Sequence, residues 1–459
     1  MLLGLRKDCK LCVECDRTYV AMHGYEIDLS WQMAFLLSLM NGSRSQDLVV
    51  ELAVKVRLVS ESQKEEVLTR FKKECSVFLE KYSLGEVRTD IPHPKCFLKP
   101  KQNYIKPYDN ILPRAALFHA TSKCDKMCVY CYMNPHRIED DDVLTLEEIY
   151  GIIDQFRKIG LSNIVFTGGE PFMHECFLDI LQYTTDRGIS ATVTTKHYFT
   201  KEEVMLIRKM QIVEISLSYD CHIDSISEFM SGGNPTHRAS MEDSLRLLID
   251  SNVQVSVNVV VTAVNINVIK SFFSYLYSMG VKNVEIHEYH PNERSNDEHL
   301  RVTREQMDEV RNIMNETKHM NLSVRCDLNE LYSKRAKPND YTQMGCVNGL
   351  LNISIMPNGK VVLCEHIAEV ESCCYGDLKV ESVESVWFGC RRQQLINPCR
   401  TLYRNMYCEN CEDFGSCIVK VACRKLSYEE RGDAMQASSL TLKLCAKLNE
   451  GTQQPCLNH

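Results

Sequence analysis

Residues 163–195, NIVFTGGEPFMHECFLDILQYTTDRGISATVTT, decide the fold. An apolar run closes on two glycines, a helical stretch follows over roughly 174–187, and SATVTT supplies a second short strand. Strand, helix, strand is the unit that joins parallel neighbours, which need a crossover where antiparallel ones need only a turn. The alternation continues on both sides. ALFHAT (116–121) reads as a strand upstream; VEISLS (213–218), VQVSVNVVVT (253–262) and NVEIHEY (283–289) read as strands downstream. Helical stretches near 145–159, 201–210, 241–251, 266–279 and 303–318 separate or follow them. Six such units over roughly 114–318 predict an α/β protein with a parallel sheet, short of the eight units of a closed barrel.

The flanks differ in kind. Over 17–83 the pattern is a small α+β unit: RTYVAMHGYEIDLS gives two short strands around Gly24, and Ser30 caps a helix, WQMAFLLSLM, that stops at Asn41-Gly42. A second helix is expected over 46–56, and a third over 61–82 with Val67, Phe71, Cys75, Phe78 and Leu79 on one face. A connector punctuated by proline runs to Pro113. After residue 340 the chain is dense in cysteine and poor in regular structure, so metal clusters are expected to supply the constraint that a core would otherwise give.

The whole chain of 459 residues is too long for one ordinary core. At 44% hydrophobic and 25% charged it reads as soluble and globular, and its net charge of -8 argues against a nucleic-acid partner. No apolar run is long enough for a bilayer, and MLLGLRKDCK lacks the order of a secretory signal, so a cytoplasmic address with no membrane partner is expected. The 23 cysteines then read as metal or cluster ligands where they are clustered, and as small buried hydrophobes where scattered, as at Cys75, Cys176 and Cys221.

The first strand runs into Cys124-Asp-Lys-Met-Cys128-Val-Tyr-Cys131. Three thiolates at these offsets can hold three irons of a cubane and leave the fourth open to a chelating ligand. A zinc site, with His136 as the local fourth candidate, and unligated thiols are the bland readings; spacing favours the cluster. The next strand ends in Gly168-Gly169-Glu170-Pro171, at the edge where parallel β/α folds place ligands. Glycines let backbone approach a ligand, and Glu170 can accept from an ammonium group.

Together these motifs resemble the radical S-adenosylmethionine family: CxxxCxxC with an aromatic, Tyr130, before the last cysteine, then GGE at the end of the second strand. The resemblance covers roughly 114–318 and implies a partial (β/α)6 TIM-like barrel. It implies a [4Fe–4S] cluster on Cys124, Cys128 and Cys131 that cleaves S-adenosylmethionine reductively into a carbon radical. Gly168, Gly169 and Glu170 would contact the cofactor's methionyl amine. Ser216, in EISLSYD, matches a position near the cofactor, and Arg238, in GGNPTHR, an arginine that meets its carboxylate; a solvent-exposed Arg238 is the bland reading.

The later array, Cys346, Gly359, Cys364, Cys408, Cys411, Cys417, Cys423 and Cys445, resembles the SPASM extension of such enzymes, departing from it in the gap between Cys417 and Cys423. The resemblance implies two auxiliary [4Fe–4S] clusters, three in all. Cys408, Cys411, Cys417 and Cys445 would close one; Cys346, Cys364 and Cys423 would hold the other, with an open iron or with Cys373 or Cys374 as eighth ligand. Glu365 is a candidate general base, or a solvated surface carboxylate. The N-terminal unit resembles the winged-helix-like recognition domain of enzymes that modify ribosomally made peptides, and an extended leader would add a strand to its sheet edge; a structural cap is the alternative. Cys9, Cys12 and Cys15 stay unassigned.

The expected order is a recognition domain at 1–90, a linker at 91–113, the radical SAM barrel at 114–325 and a SPASM domain at 340–459. The expected function is hydrogen abstraction from a precursor peptide, with a one-electron donor such as flavodoxin or ferredoxin, closing a thioether from a cysteine sulfur to carbon. Carbon–carbon cross-linking or epimerisation is the alternative, and a non-catalytic iron–sulfur electron-transfer scaffold the alternative of another class.

Overall fold

The computed structural model describes residues 2–14, 17–22, 25–55, 59–83, 91, 112–133, 142–210, 213–291, 295, 297–317, 322–326, 348–396, 409 and 423–434. Its N-terminal strands are β1 (Leu3–Leu5), β2 (Cys9–Glu14), β3 (Arg17–Met22), β4 (Tyr25–Leu29), β5 (Asn41–Arg44) and β6 (Leu79–Lys81). Strands β2, β3 and β4 form an antiparallel meander, and β1 lies between β5 and β6. Ser30 caps the helix Trp31–Ser38 as the sequence predicts, its hydroxyl accepting from the Met33 N–H at 3.3 Å.

The third helix is shorter than its periodicity predicts. Lys64–Cys75 buries Val67, Phe71 and Cys75, a 3-10 turn follows, and the chain leaves as β6. The cause is β1, whose backbone groups take Leu79, Glu80 and Lys81 as partners where a helix would have kept them.

Ten strands make the principal sheet: β7 (Ala115–Thr121), β8 (Asn163–Gly168), β9 (Ser190–Thr195), β10 (Val213–Ser218), β11 (Gln254–Val261), β12 (Asn283–Glu288), β13 (Ser323–Cys326), β14 (Asn352–Ile355), β15 (Lys360–Val362) and β16 (Cys374–Asp377). Their order is β13-β12-β11-β10-β9-β8-β7-β14-β15-β16, parallel from β13 to β14 and antiparallel beyond. The α/β TIM-like fold expected from the alternation is present, and the sheet is larger than six strands. A seventh parallel strand follows the helix Arg304–Thr317, and three strands from beyond residue 340 extend the other edge.

Helices cover the outer face. Ile149, Ile152, Ile153 and Phe156 of the helix Leu146–Lys158 pack with Phe118 and Phe166 of the sheet in one continuous core. The N-terminal unit docks on this helix: the Arg44 guanidinium donates to the Gly160 carbonyl, Arg157 donates to the Ser43 carbonyl, and Lys55 pairs with Glu384 at 2.7 Å. Among the described residues no helix is long and apolar enough to cross a membrane.

Candidate active site

The cysteine loop leaves the end of β7 and is stitched to its surroundings by backbone. Gly169 N–H donates to the Thr121 carbonyl and Glu170 N–H to the Lys123 carbonyl, both at 2.8 Å. Gly168 has φ +138°, where L side chains are strained, and a Cβ there would meet the Thr121 carbonyl oxygen at 2.4 Å. A Cβ at Gly169 would meet the Lys123 carbonyl oxygen at 2.1 Å. The sequence points to these glycines for approach to a ligand; the structure adds that the cysteine loop itself needs both. On its other side the loop is held by Val129 N–H to the Met230 carbonyl at 3.2 Å, and Gly232 packs with no room for a side chain against Met127.

Cys124, Cys128 and Cys131 are each half-buried. The Lys126 N–H donates to Cys124 Sγ at 3.4 Å. Burial pushes the Cys124 thiol up to about 11, and the negative charges of Glu170, Cys128 and Cys131 push the same way. Burial also raises the Cys128 thiol, against the pull of Lys196. Three soft sulfur donors, of which Cys124 and Cys128 gain charge only with difficulty, suit an iron–sulfur group, whose irons would stabilise all three thiolates. Among the described residues no three His, Cys, Asp or Glu side chains lie close enough to share one ion. A cubane asks something different, one thiolate to each of three irons. Ser216 supplies an independent sign of a ligand: it is 3% exposed on β10, and its hydroxyl has no partner in the protein.

Glu170 has more to do than the motif suggests. It is buried, and its carboxylate accepts from the Thr195 hydroxyl at 2.5 Å, the Lys196 N–H at 2.8 Å and the Phe172 N–H at 3.3 Å. Burial raises its carboxyl, and those bonds oppose the rise. Three of roughly four lone-pair positions are thus filled, so it ties the end of β8 to β9 with one position left for a ligand. Arg238 has carboxylate partners already: Asp224 at 2.5 Å and Glu242 at 2.9 Å. Tyr130 reaches inward, its hydroxyl donating to Asp220 at 2.5 Å, and Asp220 also pairs with Lys196 at 2.8 Å. Lys196 and Asp220 are site residues that sequence reasoning misses, because a lysine just after a strand ordinarily reads as solvated.

Of the C-terminal array, Cys346, Cys408, Cys411, Cys417 and Cys445 lie outside the described residues. Gly359, at φ +83°, makes the turn between β14 and β15, with its N–H on the Met356 carbonyl at 2.9 Å. Cys364 is buried just after β15, and Cys373 is buried beside it, the Leu363 N–H donating to the Cys373 carbonyl at 2.9 Å. Cys423 is half-buried and caps the helix Arg424–Arg431, its Sγ accepting from the Leu426 N–H at 3.4 Å. Glu365 is half-buried. Burial raises its carboxyl, and it accepts from Asn348 at 2.8 Å. It lines a cavity of about 770 Å³ with Tyr132, Met356, Cys374 and Arg391. His366 stacks on Tyr132 at 4.3 Å between centroids, so this region touches the residue that follows Cys131. At the other end of the chain, Cys9 and Cys12 are three apart on β2 and therefore face opposite ways, Cys9 being buried. Cys15 lies outside the described residues.

Residues 119–222 match the family profile of the radical SAM superfamily. The chain is 22% identical over 323 residues to a PqqA peptide cyclase of Bradyrhizobium diazoefficiens, covering 67% of this chain and 81% of that protein. It is 23% identical over 346 residues to an AdoMet-dependent heme synthase of Oleidesulfovibrio alaskensis, covering 71% and 86%. Among solved structures, Streptococcus suis SuiB bound to its precursor peptide SuiA is similar in fold with TM-score 0.65 at 15% identity, over 96% of this chain and 99% of that one. Native anSMEcpe with bound AdoMet is similar with TM-score 0.55 at 14% identity, over 72% and 94%. With its cysteine loop, its double-glycine strand end and this profile match across both, residues 119–222 form a radical SAM domain, a family that implies S-adenosylmethionine and a [4Fe–4S] cluster.

Proposed function

We propose that the chain is a peptide maturase that closes an intramolecular thioether in a ribosomally made precursor. The observation that carries this reading is the cavity of about 770 Å³ shared by Tyr132, beside Cys131, and by Glu365 and Cys374 of the C-terminal region. A cavity of that size takes a short peptide segment between the two cysteine regions. The fold likeness to SuiB, solved with a precursor peptide, extends over nearly the whole chain, N-terminal unit included, and supports a peptide substrate.

In this reading Cys124, Cys128 and Cys131 hold the radical cluster, and the backbone of Gly168 and Gly169 with the remaining lone pair of Glu170 receives the methionyl amine. Ser216 gives its unpartnered hydroxyl to the cofactor from β10. When bound, the cluster and S-adenosylmethionine supply one electron to the sulfonium and a carbon-centred radical from its cleavage. Glu365, held with a raised affinity for protons, accepts the proton of a substrate thiol. Cys364 and Cys423, with Cys346, would hold an auxiliary cluster that could bind the substrate thiolate and accept the one electron left over when the carbon radical joins sulfur, and Cys408, Cys411, Cys417 and Cys445 would hold a second. Arg238 has no part, since Asp224 and Glu242 already engage it. A flavodoxin or ferredoxin supplies the electron, and the N-terminal unit binds the leader.

Mass spectrometry of a co-expressed precursor tests this. The expected product has lost two hydrogens, and changing the acceptor cysteine of the peptide to serine removes that loss. A serine peptide that still lost two hydrogens would replace the thioether with a carbon–carbon link.

A further inference from the structure

The buried charges that this chemistry leaves unused gather beside Cys128. Lys196 follows β9 and Asp220 follows β10; their side chains are 9% and 3% exposed and pair at 2.8 Å. Lys196 Nζ donates in addition to the Ser218 carbonyl at 3.0 Å. The second carboxylate oxygen of Asp220 accepts from the Val260 N–H at 2.9 Å, and Asn265 donates to the Asp220 carbonyl at 3.1 Å. The oxygen that meets Lys196 also takes the Tyr130 hydroxyl, and Lys196 Nζ lies 5.5 Å from the centroid of the Tyr130 ring. Tyr130 stands between Cys128 and Cys131, so the ion pair is fastened to the cysteine loop by one side chain. The electrostatic neighbours of Lys196 include Cys128, whose thiol it pulls downward.

A buried ion pair is a weak device for stability, because losing water offsets most of the attraction, and apolar residues of similar volume often serve as well or better. The strands that carry the two residues are already joined by backbone pairing, Val213 through Leu217 of β10 against Ala191 through Thr195 of β9. What an apolar pair would not supply is a fixed charge beside a thiolate.

We propose that Lys196 and Asp220 are positioning residues that set the reduction potential of the iron–sulfur cluster on the cysteine loop, Lys196 stabilising its reduced state and Asp220 opposing it. The inference rests on the assignment of that cluster to Cys124, Cys128 and Cys131. Reduction adds one negative charge to the cluster, so a nearby cation favours the reduced form and a nearby anion disfavours it, more strongly in a protein interior than in water. Potentials of such clusters respond to local charge and to hydrogen bonds on sulfur.

An EPR-monitored redox titration of the reconstituted full-length protein, without S-adenosylmethionine, tests the assignment. The signal of interest is the one lost when Cys124, Cys128 and Cys131 are replaced by Ala. Lys196→Met is expected to move its midpoint to more negative potential and Asp220→Asn to more positive potential, while Lys196→Arg stays near the wild type. Opposite signs from two partners of one pair are a charge effect; a structural disturbance would move both the same way. Lys196→Met strands a buried carboxylate, so the double variant Lys196→Met with Asp220→Asn is measured too, and its midpoint falls between those of the single variants. Shifts of equal sign, or none, in a protein whose wild type titrates would overturn the proposal. So would an unmoved potential with weakened binding of S-adenosylmethionine, which would make Lys196 a partner of the cofactor's carboxylate. If the wild type shows no signal that the triple variant removes, the cluster assignment itself fails and the proposal falls with it.

Discussion

Adding one methyl group at Gly169 should disable the enzyme without touching a ligand. The new Cβ would stand 2.1 Å from the Lys123 carbonyl oxygen, 2.6 Å from its carbon and 2.6 Å from the Ser122 carbonyl oxygen, where real Cβ contacts begin near 3.0 Å. The clashing atoms are backbone, so no rotamer change relieves them, and the loop or the strand must move by roughly 1 Å. That displacement breaks the Glu170 N–H bond to Lys123 and weakens the Gly169 N–H bond to Thr121. At about 1 kcal/mol net for each bond and 1–3 kcal/mol for overpacking, the local cost is roughly 3–5 kcal/mol. Cys124 is the next residue along, so its sulfur shifts with the loop, and a misplacement near 1 Å costs on the order of 100-fold in rate. The assay is 5′-deoxyadenosine formation under dithionite, with iron content and thermal unfolding measured on the same preparation. Gly151→Ala is the control: its Cβ meets nothing within 4 Å in the helix Leu146–Lys158, so it should leave the rate unchanged and raise stability by about 0.5–1 kcal/mol. A Gly169→Ala protein with wild-type turnover would refute the view that close backbone approach sets this site.

Replacing Cys124, Cys128 and Cys131 together by Ala should abolish 5′-deoxyadenosine while iron bound by the C-terminal cysteines remains; product from the triple variant would place the chemistry elsewhere. Removing residues 1–90 should weaken leader binding at least tenfold (by about 1.4 kcal/mol or more) in fluorescence anisotropy and spare slow cofactor cleavage, whereas unchanged affinity would make the N-terminal unit a cap. His119 is fully buried with both ring nitrogens unpartnered, and burial holds its pKa down at about 4. The unfolded chain, titrating near 6.5, then binds the extra proton first, so stability is complete above about pH 6.5 and falls, by up to about 3 kcal/mol, as pH drops toward 4. Denaturation midpoints measured from pH 4 to 7 should show that slope, and His119→Leu should lessen it while His237, His290 and His366, also held down by burial, keep the remainder; an unchanged slope would assign the acid sensitivity to other groups.

What the sequence makes legible is whatever repeats or is covalently local. The strand candidates ALFHAT, NIVFTGG, SATVTT, VEISLS, VQVSVNVVVT and NVEIHEY coincide within a residue or two with β7 to β12, because each is long enough to alternate and is followed by a helix of matching period. Strands β1, β6 and β13 to β16 are three or four residues long and carry no period of their own. They exist because a neighbouring edge offers backbone partners, and that edge is not visible from their own residues. The Arg238–Glu242 pair is legible in the sequence, since Glu242 lies four residues on along the same helix, a spacing that sets the two side chains side by side. The settings of Glu365 and Lys196 are not legible, since a charged residue after a strand is ordinarily solvated and only the packing of distant segments buries Lys196 and half-buries Glu365.

The position of β7 explains how two cysteine regions far apart in sequence come to lie on one sheet. Its one edge pairs with β8, which ends in the double glycine, and its other edge pairs with β14, with Asn352 through Ile355 set against Ala115 through Phe118. β15 adds to β14, Cys364 lies two residues beyond β15, and β16 closes the edge with Cys374 at its start. Loops that carried the two cysteine regions independently would let their separation vary. Strands hold side chains to a fraction of an ångström, and neighbouring strands keep about 4.8 Å between them. One continuous sheet therefore fixes the cysteine loop and Cys364 in a single frame, and the stack of Tyr132 on His366 fastens the loop to that frame a second time. The relative placement of the cysteine loop and Cys364 is thus supplied by backbone pairing in the sheet, which no substitution in the loops alone would reproduce.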